Sequence, residues 1–246
     1  MATTTPTPSD EKANGLATYL NVLMSPTAAF QQLAKMPTWG WAAVTGLIIA
    51  LVATYMIQPA SMHFTHAFQQ QMLSHATADQ RPQFEQSFAQ QNAGAAWKAY
   101  INPVIGLAVS WMFATLVFLA ASALGGGSGT FGKAWAVAVN AALPSYVGLF
   151  VNALIIMLRG PDSANTMSDL FAIPSPAMLV SGNLALAGFL SQINPFQLWY
   201  AIVGTIGAEQ TLGAKRPAAI TAVVVIVLAT ACVYAVLGAI TSMFAK

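Results

Sequence analysis

The stretch that decides the fold is residues 217–244, PAAITAVVVIVLATACVYAVLGAITSMF, which contains no charged residue. An apolar run of about 20 residues is long enough to cross the hydrocarbon core of a bilayer as an α-helix. Lipid cannot satisfy backbone N–H and C=O groups, so a spanning segment has to pair them internally. A transmembrane β-barrel would alternate apolar and polar residues in strands of about ten residues, whereas this run is continuous. The sequence therefore predicts a transmembrane helix here.

Further apolar runs upstream predict a bundle. A shorter apolar piece at 177–190 cannot cross alone, and we expect a half-helix that packs against the bundle or lies at the interface; a sixth span is the alternative. The prediction is an all-α, polytopic transmembrane helix bundle of about five spans within residues 39–246. The spans are predicted at 39–57, 103–124, 134–158, 195–212 and 217–244.

The composition agrees with a lipid-facing surface. Of the residues, 57% are hydrophobic and 7% charged, whereas a soluble domain carries about 25% charged residues. The net charge of +2 and the absence of a Lys/Arg run in the sequence argue against nucleic-acid binding. Cys232 is the only cysteine, which excludes an intramolecular disulfide.

Lysines and arginines indicate the orientation, because cytoplasmic loops carry an excess of them. The short turn with Lys215 and Arg216 weighs most, and it predicts a cytoplasmic N-terminus and a C-terminus on the outer side. On this assignment the inner basic residues are Lys12, Lys35, Lys133, Lys215 and Arg216, and the outer ones are Arg81, Lys98, Arg159 and Lys246.

Two segments precede the first span. Residues 1–13 are polar and rich in Pro and Thr, and predict a disordered tail. Within 14–38, Ser25 followed by Pro26 is a helix start, and Phe30 and Leu33 share one face. We expect a cytoplasmic amphipathic helix whose Phe30 and Leu33 contact the membrane surface; the alternative is that this helix packs under the bundle.

The predicted loop 58–100 is the only large extramembrane segment between spans. Phe64 and Phe68 recur with helical spacing after Ser61, and the pattern repeats after Pro82, so two amphipathic helices are expected on the outer side. All the histidines of the chain lie in this loop. His75 falls on a different helix face from the other two, and zinc needs three or four converging ligands, so no metal site is predicted.

A glycine-rich stretch, Gly127–Lys133, matches the phosphate-binding pattern G-x-x-x-x-G-K but has Ala134 where Ser or Thr should follow. That motif also requires a preceding β-strand, and a membrane helix precedes it here. A tight turn between two spans is the better interpretation.

Polar residues inside the spans mark a candidate site. Pro144 lies near the middle of the third span and deprives the Asn140 carbonyl of its helical partner, so a kink with spare hydrogen-bonding capacity is expected near Ser145 and Asn152. These residues either join helices to one another or line a ligand pathway. Glu209 is the only acid in an apolar segment. It either forms an interfacial ion pair or acts as a proton- or ligand-coupled carboxylate.

The chain resembles the Yip1-domain family of small five-span membrane proteins, as a bacterial member. The likeness rests on Ser25-Pro26-Thr-Ala-Ala-Phe30-Gln-Gln-Leu33, on Phe131-Gly-Lys133-Ala-Trp135 running to Pro144, and on Asn194-Pro195-Phe-Gln-Leu-Trp199 before the last helix. The resemblance implies five spans and a cytoplasmic N-terminus, and it brings no catalytic motif.

The expected function is that of a non-enzymatic protein of the bacterial inner membrane that organises membrane partners or lipids. The alternative is a small transporter or lipid-handling protein with a polar pathway between the third and fourth spans. No histidine lies in a span, and no two carboxylates are placed to share a site, so an intramembrane enzyme is disfavoured. We expect no cofactor; the expected partners are the bilayer and either other proteins or further copies of the chain.

Overall fold

In the computed structural model, residues 15–93, 95–180 and 182–244 are described, and the tail predicted at 1–13 lies outside them. Within these ranges all regular secondary structure is helical, with three short 3-10 turns between α7 and α8 and no strand. The helices are α1 (Gly15–Met24), α2 (Pro26–Lys35), α3 (Gly40–His75), α4 (Arg81–Asn92), α5 (Ala95–Leu124), α6 (Phe131–Ala141), α7 (Leu143–Arg159), α8 (Leu184–Ser191), α9 (Pro195–Leu212) and α10 (Arg216–Phe244).

Four segments among the described residues are helical, long and apolar enough to cross a membrane. Large apolar side chains such as Val225, Leu228 and Val233 are exposed on their outer faces, as expected where the solvent is lipid. This confirms the predicted all-α membrane bundle. The segments are Gly40–His75, Trp97–Leu124, Phe131–Arg159 and Arg216–Ser242.

Helix α9 has the bounds predicted for the fourth span, but it is less apolar than those four segments because it carries Gln197, Glu209 and Gln210. It is the central helix of the bundle and packs against α2, α6, α7 and α10. A Cβ added to Gly204 would lie 3.1 Å from Val223 of α10, so the glycine permits close packing. A helix that packs on four others does not need an entirely apolar surface, and the exposed positions of α9, such as Leu198 and Ile202, are apolar.

The third span was predicted to kink near Pro144, and it divides there into two helices. Helix α6 ends at Ala141 and α7 begins at Leu143, directly before Pro144. Proline removes a backbone donor and clashes with the preceding turn, which accounts for the break.

Two predicted helix starts are wrong. The second span was expected to start at Pro103, but α5 begins at Ala95 and includes Pro103. A helix was expected to start at Ser61, but α3 continues through Pro59 to His75. Its 36 residues measure about 54 Å at 1.5 Å per residue, so its second half extends well beyond the hydrocarbon core. Helices tolerate proline where neighbouring groups satisfy the freed backbone atoms.

We call the end of the bundle with the turns 125–130 and 213–215 the turn face, and the end with the segment 160–180 the loop face. On the turn face, Ser122 Oγ donates to the Leu212 carbonyl at 3.0 Å and accepts from the Gly129 N–H at 3.0 Å. A Cβ on Gly127 would lie 2.3 Å from the Leu212 carbonyl oxygen. The glycines therefore let two turns pack together, as the tight-turn interpretation predicted.

The predicted membrane contact of Phe30 and Leu33 is wrong, because both side chains are 0% exposed. Helices α1 and α2 form a hairpin whose second helix packs on α9 and α6. The Thr211 hydroxyl donates to the Phe30 carbonyl at 2.9 Å. An apolar helix face can be buried by protein as well as by lipid, and here the gap beside Gly207 receives the Phe30 ring.

Candidate functional site

A cavity of about 470 Å³ lies inside the bundle, between α5, the break between α6 and α7, the junction of α8 with α9, and α10. Its size falls within the range of small-molecule sites, about 300–1,000 Å³. It is lined by Ile57, Leu107, Ser110, Trp111, Ala114, Ala138, Ala142, Ser145, Tyr146, Gly148, Leu149, Asn152, Leu170, Phe171, Ile173, Ser191, Gln192, Asn194, Phe196, Gln197, Tyr200, Ile226, Val227, Thr230 and Tyr234.

Part of the cavity lining beside α5 is exposed on the side of the bundle. Near its start, α5 is held to α3 by a hydrogen bond from the Tyr100 hydroxyl to Gln58 Oε1 at 2.8 Å. Directly after its end, Gly125 packs closely on Ala218 of α10. Between these two contacts, Ser110 lines the cavity and is also exposed. Ser110 lies in the middle of the apolar segment 97–124, so the opening faces the hydrocarbon.

The segment 160–180 borders the cavity at the loop face through Leu170, Phe171 and Ile173. Asn152 holds it with two hydrogen bonds: its Nδ2 donates to the Leu170 carbonyl at 3.1 Å, and its Oδ1 accepts from the Ala172 N–H at 2.7 Å. The Phe171 ring meets Tyr234 of α10 edge to face, with centroids 5.8 Å apart. Pinned in this way, the segment forms a fixed wall of the cavity.

The junction of α8 and α9 supplies a polar wall. Helix α8 is only eight residues long and lies so close to α10 that a Cβ on Gly188 would meet the Tyr234 carbonyl oxygen at 2.4 Å. At about 1.5 Å per residue, this helix is too short to cross a bilayer by itself. Asn194 caps α9 by accepting from the N–H groups of Phe196 and Gln197.

The predicted site residues divide into two groups. Ser145 and Asn152 line the cavity. Asn140 does not: its Nδ2 donates to the Thr38 carbonyl at 3.0 Å and to the Ala136 carbonyl at 2.8 Å, so it joins α6 to the segment before α3. Pro144 is buried at the start of α7 and also lies outside the lining.

Glu209 lies apart from the cavity, at the turn face. Its Oε1 is 3.9 Å from Nε of Arg216, whose side chain is 79% exposed. Of the two interpretations of Glu209, an interfacial ion pair or a coupled carboxylate, this placement beside Arg216 agrees with the ion pair.

Sequence reasoning missed most of the polar wall, including Gln192, Gln197 and Tyr200. A signal was present, because Ser191–Asn194 is a polar interruption between two apolar runs. Discontinuous helices in membrane proteins often place their broken ends at a binding site.

The lining is uncharged. None of the described residues that line the cavity is Asp, Glu, Lys, Arg, His or Cys. The polar groups there are hydroxyls, amides and one indole, set among aliphatic and aromatic side chains. Such a site binds by hydrogen bonds and apolar contact.

Comparison with known proteins places the chain in a family. The Yip1 domain matches residues 20–238. A curated relative, the membrane protein YknW of Bacillus subtilis (strain 168), is 24% identical over 213 residues, which cover 85% of this chain and 86% of that protein. No solved structure gives a significant match. Because the match spans nearly all of the bundle, the chain belongs to the Yip1 domain family.

Proposed function

We propose that this protein is a non-enzymatic membrane protein that handles lipids by holding a single amphiphilic molecule in the cavity between α5, α7, α9 and α10. The observation that carries the proposal is the side opening of that cavity at hydrocarbon depth, beside Ser110. A molecule already dissolved in the bilayer can enter such a site without leaving lipid.

The uncharged lining supports binding rather than catalysis. General acid–base and nucleophilic catalysis use titratable side chains held within hydrogen-bond reach of the reacting atoms. The described lining residues offer tyrosines and serines but no carboxylate, His, Lys or Cys that would activate them as nucleophiles. Hydroxyls and carboxamides are suited to orienting a ligand.

Packing on the turn-face side of the cavity favours binding over transport. Below the cavity, Phe30, Leu33 and Val137 are each 0% exposed and belong to one continuous apolar core. The hairpin of α1 and α2 therefore fills the half of the bundle through which a transported molecule would have to pass. We propose that the ligand enters and leaves by the side opening.

We further propose that the protein resides in a bacterial inner membrane with the turn face in the cytoplasm. The described basic residues of the turn face are Lys35, Lys133, Lys215 and Arg216. Basic residues close to the ends of spans favour retention on the cytoplasmic side. Helix α2 packs on this end of the bundle, and we propose that the N-terminus is cytoplasmic.

The test is a substitution that blocks the opening. Ser110→Phe places a large ring in the side opening, and Ala108→Phe is the matched control, because Ala108 is exposed on the same helix but does not line the cavity. Native mass spectrometry of the protein released from native nanodiscs should show a bound lipid-sized adduct in the wild type and in Ala108→Phe. Ser110→Phe should lose it. An adduct of equal abundance in both variants, or none in the wild type, would contradict the proposal.

A further inference from the structure

Several polar atoms of the cavity have no hydrogen-bond partner. Among the described residues, nothing pairs with the hydroxyls of Ser145, Tyr200 and Tyr234 or with the side-chain amide of Gln197. The amide of Gln192 makes one bond, from Nε2 to Ser191 Oγ at 3.2 Å, which leaves its Oε1 unpaired. Tyr200 and Gln192 are 6% and 8% exposed, so both are more than nine-tenths buried.

Other polar groups in the lining are satisfied by the protein itself. Asn152 and Asn194 use their side-chain amides to hold backbone groups. The Thr230 hydroxyl donates to the carbonyl of Ile226, within α10. Most of the unpaired atoms thus lie along the α8–α9 junction, in the first turns of α9 and at the start of α7, and one more, the Tyr234 hydroxyl, belongs to α10. The walls from α5 and α10 otherwise contribute Leu107, Ala114 and Val227 among others.

The distribution of unpaired polar groups indicates the chemistry of the ligand. An unpaired polar group in an apolar environment costs free energy, and a ligand that pairs it recovers that cost. The unpaired groups are hydroxyls and carboxamides, which both donate and accept, and they are neutral. A phosphate head would enter this site without a cation or a charged donor, and burying an unpaired charge is far more costly than burying a neutral polar group.

We infer that the cavity is selective for an uncharged lipid, with a hydroxyl or carbonyl head at Gln192, Gln197 and Tyr200 and a hydrocarbon chain directed to the side opening beside Ser110. This inference rests on the proposed lipid-binding function and adds the class of lipid. Acylglycerols and polyisoprenoid alcohols share this chemistry, and both dissolve in the bilayer from which the cavity opens.

The experiment compares two photo-crosslinking probes with the same diazirine-bearing acyl chain in nanodiscs that contain the full-length protein. One probe is a monoacylglycerol and the other is the corresponding lysophosphatidic acid, which differs from it by a charged phosphate on the glycerol. The monoacylglycerol probe should crosslink to peptides from 107–114 or 226–234. Monoacylglycerol without the diazirine should compete for the site and lower this crosslinking. The phosphate-bearing probe should label these peptides at least about tenfold less, because its charge has no partner in the site.

Two substitutions test the head position. Gln197→Leu and Tyr200→Phe should each lower the labelling by the neutral probe about tenfold, as expected when a buried hydrogen-bonding partner is lost. Gln83→Leu and Tyr55→Phe are the matched controls, since both positions are exposed and outside the lining. Size-exclusion profiles and melting temperatures check that every variant is folded. If one head variant fails to fold, the other still tests the assignment.

The outcomes separate this inference from the proposed function. Equal or stronger labelling of the cavity by the phosphate-bearing probe overturns the selectivity for uncharged lipids and leaves lipid binding intact. Labelling by the neutral probe that both head variants leave unchanged overturns the head position. Absence of cavity labelling by either probe overturns lipid binding itself.

Discussion

Replacing Phe30 with alanine tests the packing of the N-terminal hairpin against the bundle. The ring is fully buried, and a Cβ added to Gly207 of α9 would lie 2.9 Å from its Cε1. Truncating a buried Phe to Ala costs about 3–5 kcal/mol. For a chain of this size, each kcal/mol lowers the melting temperature by about 2–4 °C, so Phe30→Ala should lower it by about 6–20 °C.

The same geometry predicts a specific coupling between two positions. In the wild type, Gly207→Ala should destabilise, because the new methyl group meets both Phe30 and Val137 at 2.9 Å. In the Phe30→Ala background the methyl group enters the space left by the ring, so Gly207→Ala should cost less. Residues in contact depart from additivity by about 0.5–3 kcal/mol.

Thermal unfolding in a mild detergent, followed by circular dichroism and size exclusion, measures these effects. Met24→Ala is the control, because Met24 lies in the same hairpin and is 87% exposed; its melting temperature should remain near that of the wild type. The reasoning is refuted if Phe30→Ala behaves like Met24→Ala, or if Gly207→Ala costs the same with and without the ring. Either result would favour the interpretation in which Phe30 contacts the membrane surface.

Three further predictions address topology, the intramembrane acid and the cavity wall. A phosphatase reporter that is active only in the periplasm should be active when fused within 76–92 and inactive at Lys215; the reverse pattern would invert the proposed orientation. Glu209→Gln should change the melting temperature by only a few degrees, because a pair with so exposed a cation contributes about 0–1 kcal/mol; a folded variant that no longer binds lipid would instead give this acid a functional role. Asn152→Leu should speed hydrogen exchange at 170–172 by about tenfold or more, since two backbone groups lose a partner; unchanged exchange would show that the segment is held by other contacts.

Only part of the candidate site followed from local sequence rules. The break near Pro144 was predictable because proline acts on its own helix, and Ser145 and Asn152 were identified from their place beside it. Asn140 was assigned to the same site, yet it binds the Thr38 carbonyl. Local sequence does not predict a hydrogen bond between residues more than a hundred positions apart. For the same reason it did not predict that Gln197 and Tyr200 line the cavity.

The sequence by itself determined that the chain crosses a membrane as helices. An apolar run as long as 217–244 is stable in the hydrocarbon of a bilayer, and there it has to be helical so that its backbone groups pair with one another. It also determined the turn at Gly127, where backbone geometry depends on neighbouring residues alone. Only the tertiary structure decided whether an apolar face is covered by lipid or by protein. Phe30 faces α9, whereas Val225 is exposed on the outer surface, and hydrophobicity is the same driving force in both cases. The cavity too is a product of packing, since its lining comes from α5, α7, the α8–α9 junction and α10 together, and no single helix encodes it.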